Sequence, residues 1–361
     1  MRRTHRRQAG FTLIEIMISL VLGLVLLAGL FSVYLATKRS YTMAEALASR
    51  QETVRYVFAR MAADTRMAGY RGCLPDTGEI RNTVNPDPAG GGRTEFTHGS
   101  YLYRFERYVE GFDGSGGAWQ PSLPATIASA VADTDVLTIR AAFDPDVYVV
   151  KEMPTTSADI KTNPLNPAPF ANDDILLITD CGGAAIFQLT NYNLASGSTP
   201  NGVPANFGNI VHNTGAGAPG NWTKDLGRKY PVGSQILRIS TVSYYIRNSD
   251  NGTGPALWRD VDGTAQEIAE GVENMQVLYG VDTNADRVPD VYRTADTFAD
   301  TAAWRQVVTA RIALLIAGTR DYAAESDNRT FTLLGVTVGP FSDRRLRRVV
   351  EYTFSLRNRL P

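Results

Sequence analysis

The 361-residue sequence has little of what metal, redox or nucleic-acid chemistry needs. It holds two cysteines and three histidines. Two cysteines exclude a disulfide-dense mini-scaffold and a four-Cys zinc site. There is no Cys-x-x-Cys, and His5, His98 and His212 stand in non-periodic stretches without His-x-x-His or His-Glu spacing, so a histidine metal site or triad has little support. Charge of either sign is not in excess: Lys+Arg 36 against Asp+Glu 37 gives −1, which provides no global field to draw the chain onto nucleic acid. No internal repeat occurs, and no alternating strand–helix rhythm, which argues against a solenoid and a parallel α/β sheet. The 43% apolar content is too high for disorder, and 32 Gly with 18 Pro are too few and too irregular for collagen.

The informative absences are local. Residues 1–10 carry Arg2, Arg3, Arg6 and Arg7 and no acid. Phe11 to Ala36 then lacks any Lys or Arg and has one charged side chain, Glu15. An apolar run of about 25 residues is what a helix needs to cross the roughly 30 Å hydrocarbon layer. The basic flank is expected to stay cytoplasmic. A cleaved secretory signal fits poorly, because the run is too long for an h-region and no small-x-small site follows. The paired arginines invite a twin-arginine export reading, which fails on the same ground.

The junction Gly10-Phe11-Thr12-Leu13-Ile14-Glu15 resembles the type IV prepilin (class III) leader: a short basic leader, a Gly, an aromatic residue, and a Glu opening an apolar helix. The resemblance implies that a prepilin peptidase cuts after Gly10 and methylates the new amino terminus on Phe11. Loss of residues 1–10 removes four arginines and no acid, so the formal charge moves from −1 to −5. Glu15 needs a reason to exist, since a carboxylate in hydrocarbon costs at least a few kcal/mol by insertion scales. In pilins the implied partner is the amino group of a neighbouring subunit, here that of Phe11, and two charges desolvated together attract strongly. The alternative is an acid favoured only by the helix macrodipole.

The helix is expected to continue past the membrane. Lys38 to Met67 has no Pro or Gly, and Tyr41, Ala44, Leu47, Ala48, Val54, Val57, Phe58, Met61 and Ala68 recur at helical spacing. Glu45, Arg50, Glu52, Arg55, Arg60 and Asp64 fall on the other sides. Phe11 to Met67 would span about 85 Å at 1.5 Å per residue, with Gly69 as its stop. A proline carried by many major pilins would fall at Ser32; its absence, with Gly23 and Gly29 in the span, leaves local unwinding open. Beyond residue 70 the period changes to alternation. Strands are expected at Asp135–Ala141, Asp174–Thr179, Ala185–Thr190, Gln235–Arg247, Met275–Val281, Val307–Ala317 and Arg347–Leu356. Loops are expected over Asn82–Arg93, Asn163–Asn172 and Asn191–Trp222. The fold class is α+β, a long N-terminal helix on a mainly antiparallel β head. Its parts are a leader (1–10), a transmembrane half (11–36), an amphipathic half on the head (37–69) and the head (70–361).

The blocks Met-Ala-Gly-Tyr-Arg-Gly-Cys (67–73), Asp-Val-Leu-Thr-Ile-Arg (135–140), Asp-Asp-Ile-Leu-Leu-Ile-Thr-Asp-Cys (173–181) and Glu-Gly-Val-Glu-Asn-Met-Gln-Val-Leu-Tyr-Gly-Val-Asp (270–282) resemble the PilW family of minor pilins. So do Trp304 with the strand after it and the stretch from Asp-Arg-Arg-Leu-Arg-Arg (343–348) to Ser-Leu-Arg-Asn-Arg (355–359). The resemblance implies a structural subunit that primes pilus assembly in a complex of minor pilins at or near the fibre tip. Its partners would be other minor pilins, the major pilin, the prepilin peptidase and the inner-membrane assembly platform. The head would lie in the periplasm before assembly and on the fibre after it. A J-type minor pseudopilin of type II secretion and a tip adhesin are the competing readings. No convergent acid/base set points to an enzyme.

In an extracytoplasmic head Cys73 and Cys181 are expected to bond, which would stabilise by about 4 kcal/mol in the chain-entropy model; two buried thiols are the alternative. Asp282, Asn284, Asp286 and Asp290 place oxygens at the first, third, fifth and ninth positions of a calcium loop. Arg287 stands at the usual Gly and Arg293 at the usual twelfth-position acid, so Ca²⁺ competes with a plain acidic hairpin loop. Asp113-Gly114-Ser115-Gly116-Gly117 reads as a flexible turn, not a protease motif. Gly215-x-Gly217-x-x-Gly220 lacks a βαβ unit and contains Pro219, which rules out a dinucleotide fingerprint. Three Asn-x-Thr sequons (Asn221, Asn251, Asn328) are chance matches in a bacterial context. Arginines 344, 345, 347, 348, 357 and 359 are the one basic cluster of the head. Without interleaved aromatics they read as a solvated or subunit-contacting strand edge more than as a phosphate site.

Overall fold

The computed structural model describes residues 12–75, 78–85, 99–196, 206–215, 217–318, 326–356 and 358. Helix α1, Leu13–Met67, runs 55 residues without a break, about 82 Å at 1.5 Å per residue. Gly23 and Gly29 do not unwind it, because the surrounding Leu, Val and Ala residues are competent helix formers and neither glycine meets a neighbour. It stops where Gly69 takes φ +73° and turns its N–H to the Arg140 carbonyl. The Asn358 amide donates to the carbonyls of Arg66 and Ala68, serving acceptors the helix end leaves open.

The first half of the head supplies strands β1 (Ile80–Asn82), β2 (Val109–Ser115), β3 (Ala118–Gln120), β4 (Val136–Tyr148), β5 (Asp159–Thr162), β6 (Ile175–Thr179), β7 (Ala184–Gln188), β8 (Asn191–Ser196) and β9 (Asn206–Val211). The second half supplies β10 (Gln235–Asn248), β11 (Pro255–Val261), β12 (Thr264–Glu270), β13 (Val272–Val281) and β14 (Val291–Arg293). After the short helix α2 (Thr301–Arg305) come β15 (Val307–Ala317), β16 (Phe331–Leu333), β17 (Val336–Val338) and β18 (Arg347–Ser355). Among the described residues the largest sheet runs β1-β7-β6-β10-β4-β2-β3, with β11 and β12 added beside β10. A second sheet runs β14-β13-β15-β18, and β5-β9-β8 forms a third. Every pairing is antiparallel except β1 with β7.

Long β10 is the spine. It pairs with β4 along one side, and with β6 and then β11 along the other. The main core lies where α1 meets both large sheets. Val57, Phe58 and Met61 pack there with Leu137, Tyr244, Val277, Tyr279, Trp304 and Phe354. Trp304 stacks on Phe298 at 4.2 Å between ring centroids, and Tyr279 presses edge-on to Trp304 at 4.9 Å.

All seven expected strands are present, several of them longer. Three expectations need correction. Asn191–Trp222 is not an open loop: β8 and β9 form a hairpin there, completed by β5 and anchored by fully buried Ile160 and Ile210. Its strands carry too few apolar residues for alternation to be visible. Asp113–Ser115 belongs to β2, and the turn proper is Gly116-Gly117. Glycines weaken strand propensity, yet a Cβ on Gly111 would collide with the Tyr279 hydroxyl, so tertiary packing selects glycine in this strand. Both faces of β4 are covered, with Thr138 and Arg140 buried under residues 101–112. The expected apolar stripe on α1 overreaches toward the membrane, since Tyr41 is 71% exposed and full burial begins at Val57. Part of the loop expected at Asn82–Arg93 lies outside the described residues.

Candidate assembly site

Two ends of α1 carry the candidate functional groups. At the membrane end Thr12 and Glu15 form a reciprocal capping box. The Thr12 N–H and hydroxyl both donate to Glu15 Oε2 at 2.9 Å, and the Glu15 N–H donates to Thr12 Oγ1 at 3.4 Å. Glu15 Oε1 has no protein partner among the described residues. The carboxylate thus sits at the rim of the helix start, where the unpaired N–H groups and the dipole favour negative charge. Gly10 and Phe11 lie outside the described residues. The box itself was legible as Thr12-x-x-Glu15, a pattern that the macrodipole argument alone passes over.

From Leu13 to Phe31 the large apolar side chains of α1 point into open space on every side. The described residues include one helix long and apolar enough to cross a membrane, and this is it. Nothing in the head covers that surface, so its apolar area is available to lipid or to other helices.

The other end of α1 is locked to the head. Asp64, placed on the polar side from the sequence, is 5% exposed. Its Oδ2 accepts from the Tyr244 hydroxyl at 2.5 Å and from Arg259 Nε at 2.7 Å, with Arg60 Nε at 3.9 Å. Burial, and then the Asp64 charge beside it, push the Tyr244 hydroxyl far above the ordinary phenol range. A buried acid is tolerated here because two hydrogen-bond donors replace its water and the Arg60 guanidinium lies close by. Alongside, Phe58 packs with Tyr352 at 5.7 Å and Phe354 at 6.2 Å between centroids.

Under the helix exit a second buried network braces the sheet. Arg140 donates to Glu110 Oε2 at 2.8 Å and to the Tyr101 carbonyl at 2.6 Å. Arg104 and Arg107 reach Glu110 Oε1 at 3.2 and 2.7 Å. Burial opposes ionisation of Glu110, but Arg140, Arg104 and Arg107 outweigh it and hold the carboxyl below its usual range. Burial raises the Tyr101 hydroxyl to about 12 while it bonds Thr138 and Ser243. These groups hydrogen-bond and ion-pair with one another.

Cys73 and Cys181 are disulfide-bonded, with Cα atoms 4.9 Å apart and a sequence separation of 108. The bond ties the segment leaving α1 to the turn after β6. His212, expected in a loop, follows β9 directly and is fully buried; its ring packs on Phe187 at 4.8 Å between centroids. Burial lowers it to about 4. His5 and His98 lie outside the described residues.

The four oxygen-bearing side chains of the acidic loop sit between β13 and β14. Asp282 accepts the N–H groups of Asn284, Ala285 and Arg287. Asp286 accepts from Val288, and Asp290 accepts from the Thr283 N–H and hydroxyl. Asn284 Nδ2 approaches Asp286 Oδ2 at 3.1 Å and Asp290 Oδ1 at 3.4 Å. Among the described residues no three His, Cys, Asp or Glu side chains converge as a metal-binding group. Of the arginine cluster, Arg345 and Arg347 pair with Glu273 and Asp343. Hydrogen bonding by Arg347 lowers Asp343 to about 2. Arg348 stays exposed, and Arg357 and Arg359 lie outside the described residues.

The comparisons agree with both ends of this picture. A family described as Type IV Pilus-assembly protein W matches residues 243–358, from the second half of β10 through β18. The prokaryotic N-terminal methylation motif matches residues 5–31, spanning Gly10, Phe11, Glu15 and the exposed apolar helix. Neither a curated protein nor a solved structure matches the chain. The two matches together cover less than half of the chain. With a methylation motif at the head of an exposed apolar helix and a PilW match over β13, β15 and β18, the chain is similar at both ends to type IV pilus-assembly proteins.

Proposed function

We propose that this chain is a minor pilin that helps to initiate type IV pilus assembly within a complex of minor pilins at the fibre tip. The observation that carries the reading is the asymmetry of α1. One half exposes apolar side chains on all sides, and the other is held to the head by Asp64, Arg259 and Tyr244. A helix so mounted transmits to its head whatever position its neighbours impose in the bundle. Cleavage after Gly10 would free the Phe11 amine one residue from Thr12, whose N–H the Glu15 carboxylate already accepts. Glu15 Oε1 then meets the amine of a neighbouring subunit, and the pair, desolvated by the surrounding apolar helices, sets the register. Before assembly the helix anchors the chain in the inner membrane with the head in the periplasm.

Replacing Glu15 by Leu is expected to abolish incorporation into fibres while leaving membrane insertion intact; normal incorporation would overturn the pairing. Deletion of the gene followed by imaging separates assembly from adhesion. Loss of surface fibres supports the assembly reading, whereas normal fibres with lost attachment would favour a tip adhesin.

A further inference from the structure

Sheet edges in this head are mostly short. Edge strands β1, β3 and β14 have three residues each, and the edge strand β12 has seven. Strand β18 is different: nine residues long, about 30 Å, and hydrogen-bonded through β15 alone among the described residues. A long unpaired edge offers a row of N–H and C=O groups to any extended chain. Its side chains carry no blunting proline or lysine. Tyr352 is 48% exposed beside Phe58, and Val350 and Phe354 lie on the same face toward α1.

One end of this edge is positively charged without compensation. Arg50 of α1 donates to the Leu346 carbonyl at 3.3 Å, just ahead of the strand. Burial, and then the nearby Arg348 guanidinium, lower the proton affinity of Arg50. Neither guanidinium has a carboxylate within ion-pair distance among the described residues, whereas Arg345 and Arg347 next to them do. Two like charges held together at a strand edge call for an external anion.

We propose that β18 receives an extended, acidic segment of another leader-bearing subunit, which adds a strand to the β14-β13-β15-β18 sheet. Its carboxylates meet Arg348 and Arg50, and its apolar residues at every second position rest on Tyr352 and Phe58. Nucleic acid has the charge but not the backbone donors and acceptors that the edge presents. A second copy of this chain offers the acidic edge of β12, with Glu267 and Glu270, but such head-to-tail pairing would give a ring or a filament of this chain alone rather than a contact with a different subunit. The inference rests on the assembly reading above, and its test keeps the two apart.

A photocrosslinking phenylalanine analogue is placed in the full-length chain, in cells, in place of Tyr352 and separately in place of Leu22 on the exposed membrane half. Captured peptides are then sequenced. The Leu22 probe is expected to capture the helix of another leader-bearing subunit, and the Tyr352 probe an extended acidic segment of one. Arg348→Glu is expected to lower the Tyr352 yield about tenfold and to leave the Leu22 yield unchanged. Capture at Tyr352 of lipid only, of a helix, or of a second copy overturns the inference, as does an Arg348→Glu variant with full yield. Capture at Leu22 with none at Tyr352 overturns the edge proposal alone; capture at neither overturns the assembly reading with it.

Discussion

Asp64 of the helix and Arg259 of β11 meet at 2.7 Å across 195 residues of sequence, with the Tyr244 hydroxyl on the same carboxylate oxygen. The pair joins the membrane-facing helix to the spine of the head. Removing one member of a buried, hydrogen-bonded pair leaves the other uncompensated, at a cost of about 3–5 kcal/mol when fully desolvated. Arg259 keeps 14% of its side chain exposed, so the lower end of that range applies. Asp64→Ala is expected to destabilise the full-length protein in detergent by about 3 kcal/mol in chemical denaturation. Arg259→Ala in the same background should add much less than it does alone. Additive effects would mean that the two residues act independently.

Two buried titratable groups pull stability in opposite directions with pH. Burial raises Asp135 to about 7, against hydrogen bonds from the Gly114 and Val277 N–H groups. Between about pH 4 and 7 the folded chain holds this proton and the unfolded chain has lost it, so stability falls as pH rises. His212, lowered to about 4, does the reverse: between about pH 4 and 6.5 only the unfolded chain is protonated, and stability rises with pH. Asp135→Asn removes the falling limb. Its absolute stability drops, because an amide N–H₂ then faces a backbone donor, so the informative quantity is the slope. Between pH 4 and 6.5 the variant's stability should climb more steeply than the wild type's, by up to about 1.4 kcal/mol per pH unit. Parallel curves would show that Asp135 does not titrate in this window.

Legibility followed periodicity. Strands β10, β15 and β18 were readable because each spans at least nine residues with alternation or a sustained apolar run. The helix was readable because nothing interrupts it from Leu13 to Met67. Strands β1, β3 and β14 were not, since three residues carry no period and their pairing is imposed by neighbours. Asp64 was misplaced because a charged residue on an amphipathic pattern reads as solvated until its partner is known. That partner, Arg259, lies 195 residues away in sequence. The Cys73–Cys181 bond was legible, because two lone cysteines in an extracytoplasmic head are conspicuous without a known partner.

The disulfide closes a long loop, so its loss should be felt mainly through the unfolded chain. With a sequence separation of 108 between the cysteines, the chain-entropy model gives about 4–5 kcal/mol. A Cys73→Ser, Cys181→Ser double variant is expected to unfold at markedly lower denaturant concentration without a change in its native far-UV spectrum. A loss below about 1 kcal/mol would mean that the reduced unfolded state already holds these segments together.

Close approach makes Gly111 sensitive. A Cβ there meets the hydroxyl and ring of Tyr279, which is itself pinned between Phe298 and Trp304. The ring has no free rotamer direction, so Gly111→Ala should strain the joint between the two sheets by about 1–3 kcal/mol. Gly116→Ala in the adjacent turn, where a Cβ meets nothing but φ is +62°, should cost about 1 kcal/mol. Equal losses at the two positions would argue against packing as the cause.

The acidic loop offers the last test, and its hydrogen bonds give the sign. A calcium loop holds its cation with inward oxygens, and here Asp282, Asp286 and Asp290 each accept from donors of the same loop. The nitrogen of Asn284, not its oxygen, is turned toward Asp286 and Asp290. That donor neutralises part of the repulsion which a cation would otherwise relieve. Arg287 stands where the sharp turn usually takes glycine, and it adopts φ +68°. Titration of the full-length protein with Ca²⁺ up to millimolar concentration is therefore expected to release no heat and to leave Tm where EDTA leaves it. A saturable rise in Tm that Asp282→Asn removes would instead establish the loop as a cation site, with Asn284 turned about its side-chain axis to present oxygen.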